Sequence, residues 1–279
     1  MKTISTANKR RAFRKLHESG CFVMPNPWNP GTARYLEGLG FKALASTSSG
    51  YAHSQGYADG EVTRDMVLGH CREMAAFTDL PMNADFEAGY AKDPAEVTDN
   101  VRLCIETGVA GLSIEDFTGN ERAPLYDFDV AVQRVRAARL AIDQAGGDVV
   151  FTARTEGFIH GKPDLDETIR RLRAFADAGA DCLYAPGIKT REQIEAVVKA
   201  VAPKPVNLLM SAACGFSVND IAEMGVRRIS IGGTLARVAM HAFIKSAKEI
   251  AEAGTFNRFA GVISNAELNA FFSGSTKSS

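Results

Sequence analysis

The residues with the clearest chemical potential are carboxylates that follow short apolar runs. Asp85 and Glu87 come at the end of one run, and Glu115 and Asp116 end the next run along the chain. Side chains two residues apart in an extended segment point the same way, which would place Asp85 and Glu87 together. Hard oxygen ligands suit Mg²⁺, with Mn²⁺ as a second choice. The pattern predicts a metal site; the alternative is a set of helix N-caps and surface salt bridges.

A single cation, Arg154, ends a further apolar run that begins at Val149. Its planar guanidinium can bind a carboxylate through two parallel hydrogen bonds. A charge that follows a buried segment must meet negative charge, because an unpaired buried ion is costly. We therefore predict that Arg154 contacts a substrate carboxylate. The alternative is an internal ion pair with Glu115 or Glu87.

Two further stretches could contribute polar groups to the same site. Ser48, Ser49 and Gly50 lie in a Ser/Thr/Gly segment, residues 46–51, which could form a carboxylate-binding nest of backbone N–H groups or a simple turn. Asp59 precedes a predicted helix, where it could supply an acid to the site or serve as a helix cap or turn residue. For both stretches the functional and the structural alternative stay open at this point.

The remaining candidates are single residues and one loop. Trp28 follows the first apolar run and could be either a wall of the pocket or a core residue. Asn207 ends the seventh run. Gly232 follows the eighth run, where barrels often bind anionic groups, although close helix packing explains a glycine there as well. Residues 117–124 are long and polar enough for a mobile lid, or for a flexible surface loop. The five histidines form no cluster, so no catalytic histidine is assigned.

The elements that must position these residues alternate along the chain. Short apolar runs, each followed by an amphipathic stretch, indicate βα units around a parallel sheet. Eight runs point to a (β/α)8 TIM barrel, whose catalytic residues lie at the C-terminal strand ends. A doubly wound sheet would need a G-x-G-x-x-G turn after an early strand, and the sequence has none. The eight runs are residues 21–24, 43–45, 81–85, 111–115, 149–154, 181–184, 206–209 and 228–231.

Helical periodicity fills the intervals between the runs. Residues 166–178 and 190–201 repeat apolar side chains at helical spacing, and residues 238–251 and 265–272 are predicted as the last barrel helix and a terminal helix. Glycines are predicted just past helix ends, where a left-handed backbone is needed, at Gly108, Gly179 and Gly225. We predict one domain over residues 1–279, a barrel with an N-terminal helix and a C-terminal helical extension.

Composition restricts the class of protein. The 279 residues carry a formal net charge of −1, with 46% hydrophobic and 23% charged residues, which favours neither nucleic acid nor a membrane surface as a partner. The five cysteines show no C-x-x-C spacing, and no apolar stretch reaches the length of a membrane span. We predict a cytoplasmic protein with an exposed first helix; a basic transit peptide is the alternative for the N-terminus.

Several strings, taken in order, resemble the isocitrate lyase/phosphoenolpyruvate mutase superfamily. The resemblance extends from about residue 20 to residue 240. It implies a (β/α)8 barrel whose eighth helix is exchanged between subunits, in a homo-oligomer that is usually a dimer of dimers, with Mg²⁺ holding a 2-oxo carboxylate or its enolate. The strings are Asn26-Pro27-Trp28, Ser48-Ser49-Gly50, Tyr57-Ala58-Asp59-Gly60-Glu61, Asp85-Phe86-Glu87-Ala88-Gly89-Tyr90, Ser113-Ile114-Glu115-Asp116, Ala153-Arg154-Thr155-Glu156 and Ile231-Gly232-Gly233.

The same resemblance implies roles for individual residues. Asp85 would be the direct metal ligand, with Glu87 and Glu115 holding metal-bound waters. Asp59 would lie near the metal or the reacting group, and Arg154 would bind the substrate. The carboxylate and oxo group of the substrate would be held by Ser48, Ser49 and Gly50. Glu87 stands where many members have aspartate, and its longer side chain should still reach a bound water.

One departure from the superfamily narrows the reaction. Its lyases carry a K-[KR]-C-G-H loop with a catalytic cysteine after strand 4, whereas this chain has Phe117-Thr118-Gly119-Asn120-Glu121-Arg122-Ala123-Pro124. Isocitrate or methylisocitrate cleavage by the usual route is therefore not predicted. Asn120 would correspond to the lid asparagine of the mutases, without its flanking lysines.

Three functions follow from these observations. The first is a Mg²⁺-dependent carbon–carbon lyase or decarboxylase of a small 2-oxo acid or dicarboxylate, acting through an enolate. The second is a phosphoenolpyruvate phosphonomutase, for which the lid supplies few cations. The third is a non-catalytic protein that binds an oxo acid. For the enzymes, the predicted catalytic residues are Asp59, Glu115, Asn120 and Arg154.

Overall fold

Eight parallel strands form the centre of the protein, for which a computed structural model describes residues 4–274. Strands adjacent in sequence from β2 to β8 pair with one another, and β8 also pairs with β1. The sheet closes where the backbone N–H of Ala45 donates to the carbonyl of Pro25 at 3.0 Å. The predicted (β/α)8 barrel is confirmed. The strands are β1 Phe22–Met24, β2 Leu44–Ala45, β3 Met82–Asp85, β4 Gly111–Glu115, β5 Val150–Arg154, β6 Cys182–Tyr184, β7 Val206–Leu209 and β8 Arg228–Ser230.

The helices begin and end at residues suited to their termini. Gly108, Gly179 and Gly225 adopt positive φ angles of 90°, 104° and 85° directly after a helix C-cap, as the sequence predicts. Side chains of Asp93 and Asp164 accept backbone N–H groups as N-caps. The helices are α1 Thr6–Leu16, α2 Pro30–Gly38, α3 Ser48–Gln55, α4 Arg64–Phe77, α5 Pro94–Glu106, α6 Phe128–Gln144, α7 Leu165–Asp177, α8 Arg191–Val201, α9 Val218–Glu223, α10 Thr234–Ala253 and α11 Asn265–Phe272.

The chain divides into two compact units, a barrel unit over Met1–Gly233 and a helical unit over Thr234–Ser279. The helical unit contains α10, a 3₁₀ turn at Asn257–Phe259 and α11. The assignment of both units to one domain stays a prediction, as does the exchange of the last barrel helix. Within residues 4–274, no helix combines the length and apolar character that crossing a bilayer requires.

One face of helix α1 is buried against the barrel strands, which the sequence analysis did not predict for an exposed helix. Phe13 is fully buried in a cluster with Met24 and Val150, and Lys9 is also buried, donating from Nζ to the carbonyl of Ala75 at 2.8 Å. Arg10 forms an ion pair with Asp148 at 3.0 Å. The expectation of an exposed first helix holds for Arg11 and Lys15 and is corrected at Lys9 and Phe13, because a basic helix can satisfy a buried cation with backbone carbonyls.

A buried arginine fills the barrel interior near α1. Arg228, 1% exposed, donates from Nε to Asn207 Oδ1 at 2.8 Å and from Nη2 to Thr152 Oγ1 at 2.9 Å. Its Nη1 lies 3.3 Å from Nε2 of His17. The prediction that Asn207 ends strand 7 is wrong: Asn207 is the second residue of β7, and its amide is held by Arg228 and Ser230. Its substrate-binding role stays a prediction.

Gly111 is the first residue of β4, and its replacement by alanine should destabilise the barrel where α1 packs against the strands. A Cβ atom on Gly111 would lie 2.5 Å from Phe13 Cε1 and 2.8 Å from Asn83 Oδ1. Such overpacking typically costs about 1–3 kcal/mol. We expect Gly111→Ala to lower the free energy of unfolding by that amount in urea denaturation. Gly69→Ala is the matched control, because a Cβ there meets nothing within 4 Å on helix α4. Equal stability of the two variants would contradict the packing of α1 against the strands.

The burial of His17 should make stability depend on pH. Burial, with Arg228 nearby, lowers the pKa of His17 from 6.5 to about 3, so the unfolded chain binds the proton more tightly than the folded one. Stability from this group is therefore complete above pH 6.5 and falls as the pH drops towards 3. By pH 5 the loss should be roughly 2 kcal/mol. Urea unfolding at pH 7 and pH 5 should show a smaller loss in His17→Gln than in the parent protein. His241→Gln, at an exposed position, should leave the loss unchanged; an unchanged loss in His17→Gln would refute the assignment.

Candidate active site

Three charged residues meet at the C-terminal edge of neighbouring strands. Asp85 ends β3, Glu115 ends β4 and Arg154 ends β5. The strand register sets Glu115 directly opposite Arg154, and Asp85 opposite Ser113 of β4. Parallel strands present their carboxyl ends at one face of a barrel, which explains why residues so distant in sequence converge.

Arg154 is the centre of this cluster. Its Nη1 lies 2.7 Å from Asp85 Oδ1 and 3.2 Å from Glu115 Oε2, and its Nε and Nη2 each lie 2.8 Å from Glu156 Oε1. The guanidinium also lies 4.9 Å above the ring centre of Tyr184. Burial alone would lower the pKa of Arg154, but these carboxylates raise it well above its usual value. The internal ion pair with Glu115 is therefore present, and substrate contact by Arg154 stays a prediction.

Glu87 reaches the cluster by a route that strand geometry did not predict. Strand β3 ends at Asp85, and Glu87 lies in the following turn with φ of +44°, a conformation that non-glycine residues rarely adopt. Its carbonyl accepts the N–H of Glu115 at 3.0 Å, and its carboxylate accepts a hydrogen bond from the Tyr90 hydroxyl. The expectation that Asp85 and Glu87 share an extended segment is wrong. Their proximity depends on this strained turn.

The site carries more negative charge than its cation balances. Burial, then the nearby Asp85 and Asp59, raise the pKa of Glu87 to about 7 although Tyr90 opposes the shift. Burial also raises the pKa of Glu115, and Arg154 opposes this only in part. A set of carboxylate oxygens with surplus negative charge suits a hard divalent cation. The residues present therefore fit Mg²⁺.

The described residues contain no group of three or more His, Cys, Asp or Glu side chains arranged to enclose a metal ion directly. This does not conflict with the fit, because Mg²⁺ usually keeps several waters and uses one or two carboxylates. The arrangement implied by the family resemblance, with Asp85 direct and Glu87 and Glu115 behind waters, is of that kind. Metal ligation by these three residues stays a prediction.

Ser48, Ser49 and Gly50 form the first turn of helix α3 instead of the predicted loop. The side chain of Thr47 caps this helix by accepting the Gly50 N–H at 3.3 Å. The Ser48 N–H donates to Asp85 Oδ2 at 3.1 Å, so the helix N-terminus faces the carboxylates. Gly233 after β8 packs against this turn, because a Cβ there would lie 2.5 Å from Ser49 Oγ.

Asp59, Gly232 and Trp28 are further residues that the sequence predicted for the site. Asp59 is exposed, yet its surroundings exclude enough water that desolvation, followed by Asp85, raises its pKa, while a hydrogen bond from Ser48 opposes the shift. The Gly232 N–H donates to Asn26 Oδ1 at 3.0 Å, which leaves this N–H engaged within the protein. Trp28 is half-buried after β1. Only Asp59 of these three is shown next to the charged cluster.

Asp116 and the tip of the lid bind residues outside the charged cluster. Asp116 is buried on the opposite side of β4 from Glu115, where it accepts from Thr155 Oγ1 at 2.8 Å and from Arg171 at 3.0 Å. It is therefore not a fourth carboxylate of the cluster. The lid begins and ends at a bridge between Phe117 and Leu125, and Asn120 is exposed at its tip, where its side chain accepts the backbone N–H of Arg122.

Two residues in contact with Arg154 were not assigned roles from the sequence. Glu156 binds two nitrogens of Arg154 through one oxygen, and Tyr184 lies beneath the guanidinium. Tyr184 ends β6, so the rule that strand ends carry the chemistry would have selected it. Glu156 follows Arg154 by two residues, and no sequence signal indicated that its carboxylate would be buried against the guanidinium.

Comparisons with known proteins agree with this geometry. A family model described as phosphoenolpyruvate phosphomutase matches residues 13–251. The structure is similar to a lyase/mutase from Burkholderia cenocepacia J2315, with 44% sequence identity, a TM-score of 0.93, and coverage of 96% of this chain and 97% of that one. An oxaloacetate decarboxylase of Paraburkholderia xenovorans (strain LB400) is 28% identical over 264 residues, which are 90% of this chain and 85% of the decarboxylase.

A phosphonopyruvate hydrolase in complex with oxalate and Mg²⁺ is also similar, with 25% identity, a TM-score of 0.84, and coverage of 96% of this chain and 95% of that one. The family match spans most of the chain, and the strings that suggested the resemblance lie on the strand ends and loops of one barrel. The chain belongs to the phosphoenolpyruvate phosphomutase family, within the isocitrate lyase/phosphoenolpyruvate mutase superfamily.

Proposed function

We propose that the protein is a Mg²⁺-dependent enzyme that breaks a carbon–carbon bond of a small 2-oxo acid or dicarboxylate through an enolate, as a lyase or decarboxylase. The observation that carries the proposal is the half-buried Arg154, held at 2.7 Å from Asp85 and 3.2 Å from Glu115 at the C-terminal edge of the barrel. A relative that is an oxaloacetate decarboxylase supports this class of reaction.

The proposed roles follow from charge and position. Asp85, with Glu87 and Glu115, would hold the cation, which supplies Lewis acidity to an oxo group when bound. Arg154 would bind the substrate carboxylate and oppose negative charge as it develops on the enolate oxygen. The first turn of α3, at Ser48, Ser49 and Gly50, would act on the same anion mainly through the positive end of the helix, because the N–H groups of Ser48 and Gly50 already donate to Asp85 and Thr47. Asp59 would move a proton at the mouth of the site, and Asn120 would approach from the lid.

Three further residues complete the proposed substrate site. Trp28 after β1 and Gly232 after β8 would line it, and Asn207 would contribute through its bond to Ser230 at the end of β8. The family resemblance also supports a homo-oligomer, a dimer of dimers that exchanges the last barrel helix. No nucleic acid or membrane partner is proposed.

The phosphonomutase is the second candidate, supported by the name of the matching family and by the phosphonopyruvate hydrolase among its relatives. A phosphoryl group requires several cations, and the cations near the lid, Arg122 and Lys162, line a different cavity of about 570 Å³ next to Arg171 and Glu167. Arg154 is not part of that lining. The position of these cations favours the carbon–carbon bond over the phosphorus–carbon bond.

A turnover screen distinguishes the candidates. With Mg²⁺ present, we expect proton NMR to detect pyruvate or another cleavage product from oxaloacetate, 2-methylisocitrate or dimethylmalate. Phosphonopyruvate is included with phosphorus detection, and its interconversion with phosphoenolpyruvate would transfer the assignment to the mutase. Binding of an oxo acid without turnover of any of them would support a non-catalytic binding protein instead.

The metal role of Asp85 is tested by the binding of oxalate, an enolate mimic. We expect Asp85→Asn to weaken Mg²⁺-dependent oxalate binding by at least about 10-fold in titration calorimetry, since the loss of groups that merely support a metal ligand already costs 10–100-fold. The amide can still accept the Ser48 N–H, which preserves the turn. Asp148→Asn is the control, an acid paired with Arg10 away from the site. Equal Mg²⁺-dependent affinity in both variants would refute the metal assignment.

A further inference from the structure

His160 lies between the lid and the Arg154 cluster. Its ring stacks on Phe117 at the base of the lid, with ring centres 3.8 Å apart and an interplanar angle of 8°. Its Nδ1 lies 3.1 Å from Oε1 of Glu121 in the lid. On the other edge of the ring, Nε2 lies 3.9 Å from Oε2 of Glu156, whose side chain is 2% exposed. One imidazole therefore contacts the base of the lid, its tip and the partner of Arg154.

We propose that His160 is a positioning residue that latches the lid and, through Glu156, couples the lid to the orientation of Arg154. The binding of the substrate carboxylate by Arg154 rests on the proposed function. The latch itself rests only on the contacts of His160.

The coupling is carried by the Glu156 carboxylate. Its Oε1 accepts from Nε and Nη2 of Arg154 at 2.8 Å, while Oε2 faces His160. Its backbone N–H donates to Asp116 Oδ1 at 2.9 Å, which fixes the start of the side chain. A carboxylate is planar and rigid, so a movement of one oxygen rotates the other. Displacement of His160 would thus change the direction in which the Arg154 fork points.

The lid has little else to hold its tip. Its two ends are joined by the N–H of Thr118 donating to the carbonyl of Pro124 at 2.9 Å, and the bonds of Asn120 stay within the turn. Glu121 is 73% exposed as a side chain, yet its carboxylate oxygens lie 3.1 and 3.3 Å from Nδ1 of His160, in the loop after β5. Ring stacking adds a contact that solvent does not screen, unlike an exposed ion pair.

Hydrogen exchange tests the latch without any ligand. We expect His160→Ala to speed amide exchange in residues 117–125 by about three- to thirty-fold, because stacking and the pair with Glu121 are both lost. His160→Phe keeps the stacked ring and should speed exchange by only about two- to five-fold. Exchange in β4 and β5 and the melting temperature should not change, and His241→Ala controls for loss of an exposed histidine. Unchanged lid exchange in His160→Ala would overturn the latch.

Oxalate binding with Mg²⁺ tests the coupling. We expect His160→Ala to weaken binding about three- to ten-fold, and His160→Phe to weaken it as well, because the phenyl ring keeps the stacking but lacks the Nε2 atom that faces Glu156. If His160 acts through Glu156, then His160→Ala should have no further effect in a Glu156→Gln background. Additive effects of the two changes would overturn the coupling. If the parent protein does not bind oxalate, the proposed function fails, while the exchange experiment still decides whether His160 holds the lid.

Discussion

The architecture of the site depends on how one half-buried guanidinium is neutralised. Arg154 meets Asp85, Glu115 and Glu156, which come from three different βα units, so its position requires the register of β3, β4 and β5 to be correct together. Removing any partner would leave charge in a place where water can compensate only in part. Burial, together with the nearby Asp85 and Asp59, raises the pKa of Glu87 to about 7, and a cation bound at this edge of the barrel would lower it.

The polar groups at the two ends of the barrel have different kinds of partners. Around Arg228, the hydrogen bonds to Asn207 and Thr152 pair the guanidinium with neutral groups, and His17 at the end of α1 lies 3.3 Å from its Nη1. At the C-terminal edge, charges are paired with charges and remain partly accessible. The first arrangement favours stability, whereas the second leaves groups that an anion or a cation can recruit.

Local backbone conformation determines which side chains join the site. The left-handed turn at Glu87 keeps its carboxylate within electrostatic range of Asp85, although the strand has already ended. Glu115 and Asp116 are adjacent in sequence, but one faces Arg154 and the other faces Arg171 behind the strand. His160 shows the same effect in a loop, since its ring joins Glu121 of the lid to the buried Glu156.

The sequence alone determined the barrel, its eight strands and the ends of several helices, because apolar runs, helical periodicity and glycine stops such as Gly179 are local signals. It also identified Asp85, Glu115 and Arg154, because strand ends can be counted along the chain. Only the tertiary structure decided that Asn207 is bound inside the barrel, that Ser48 begins a helix, and that Glu156 holds Arg154. Those outcomes depend on contacts between elements far apart in the chain, such as the bond from Arg154 to Asp85 across 69 positions, and these are set by register and barrel closure.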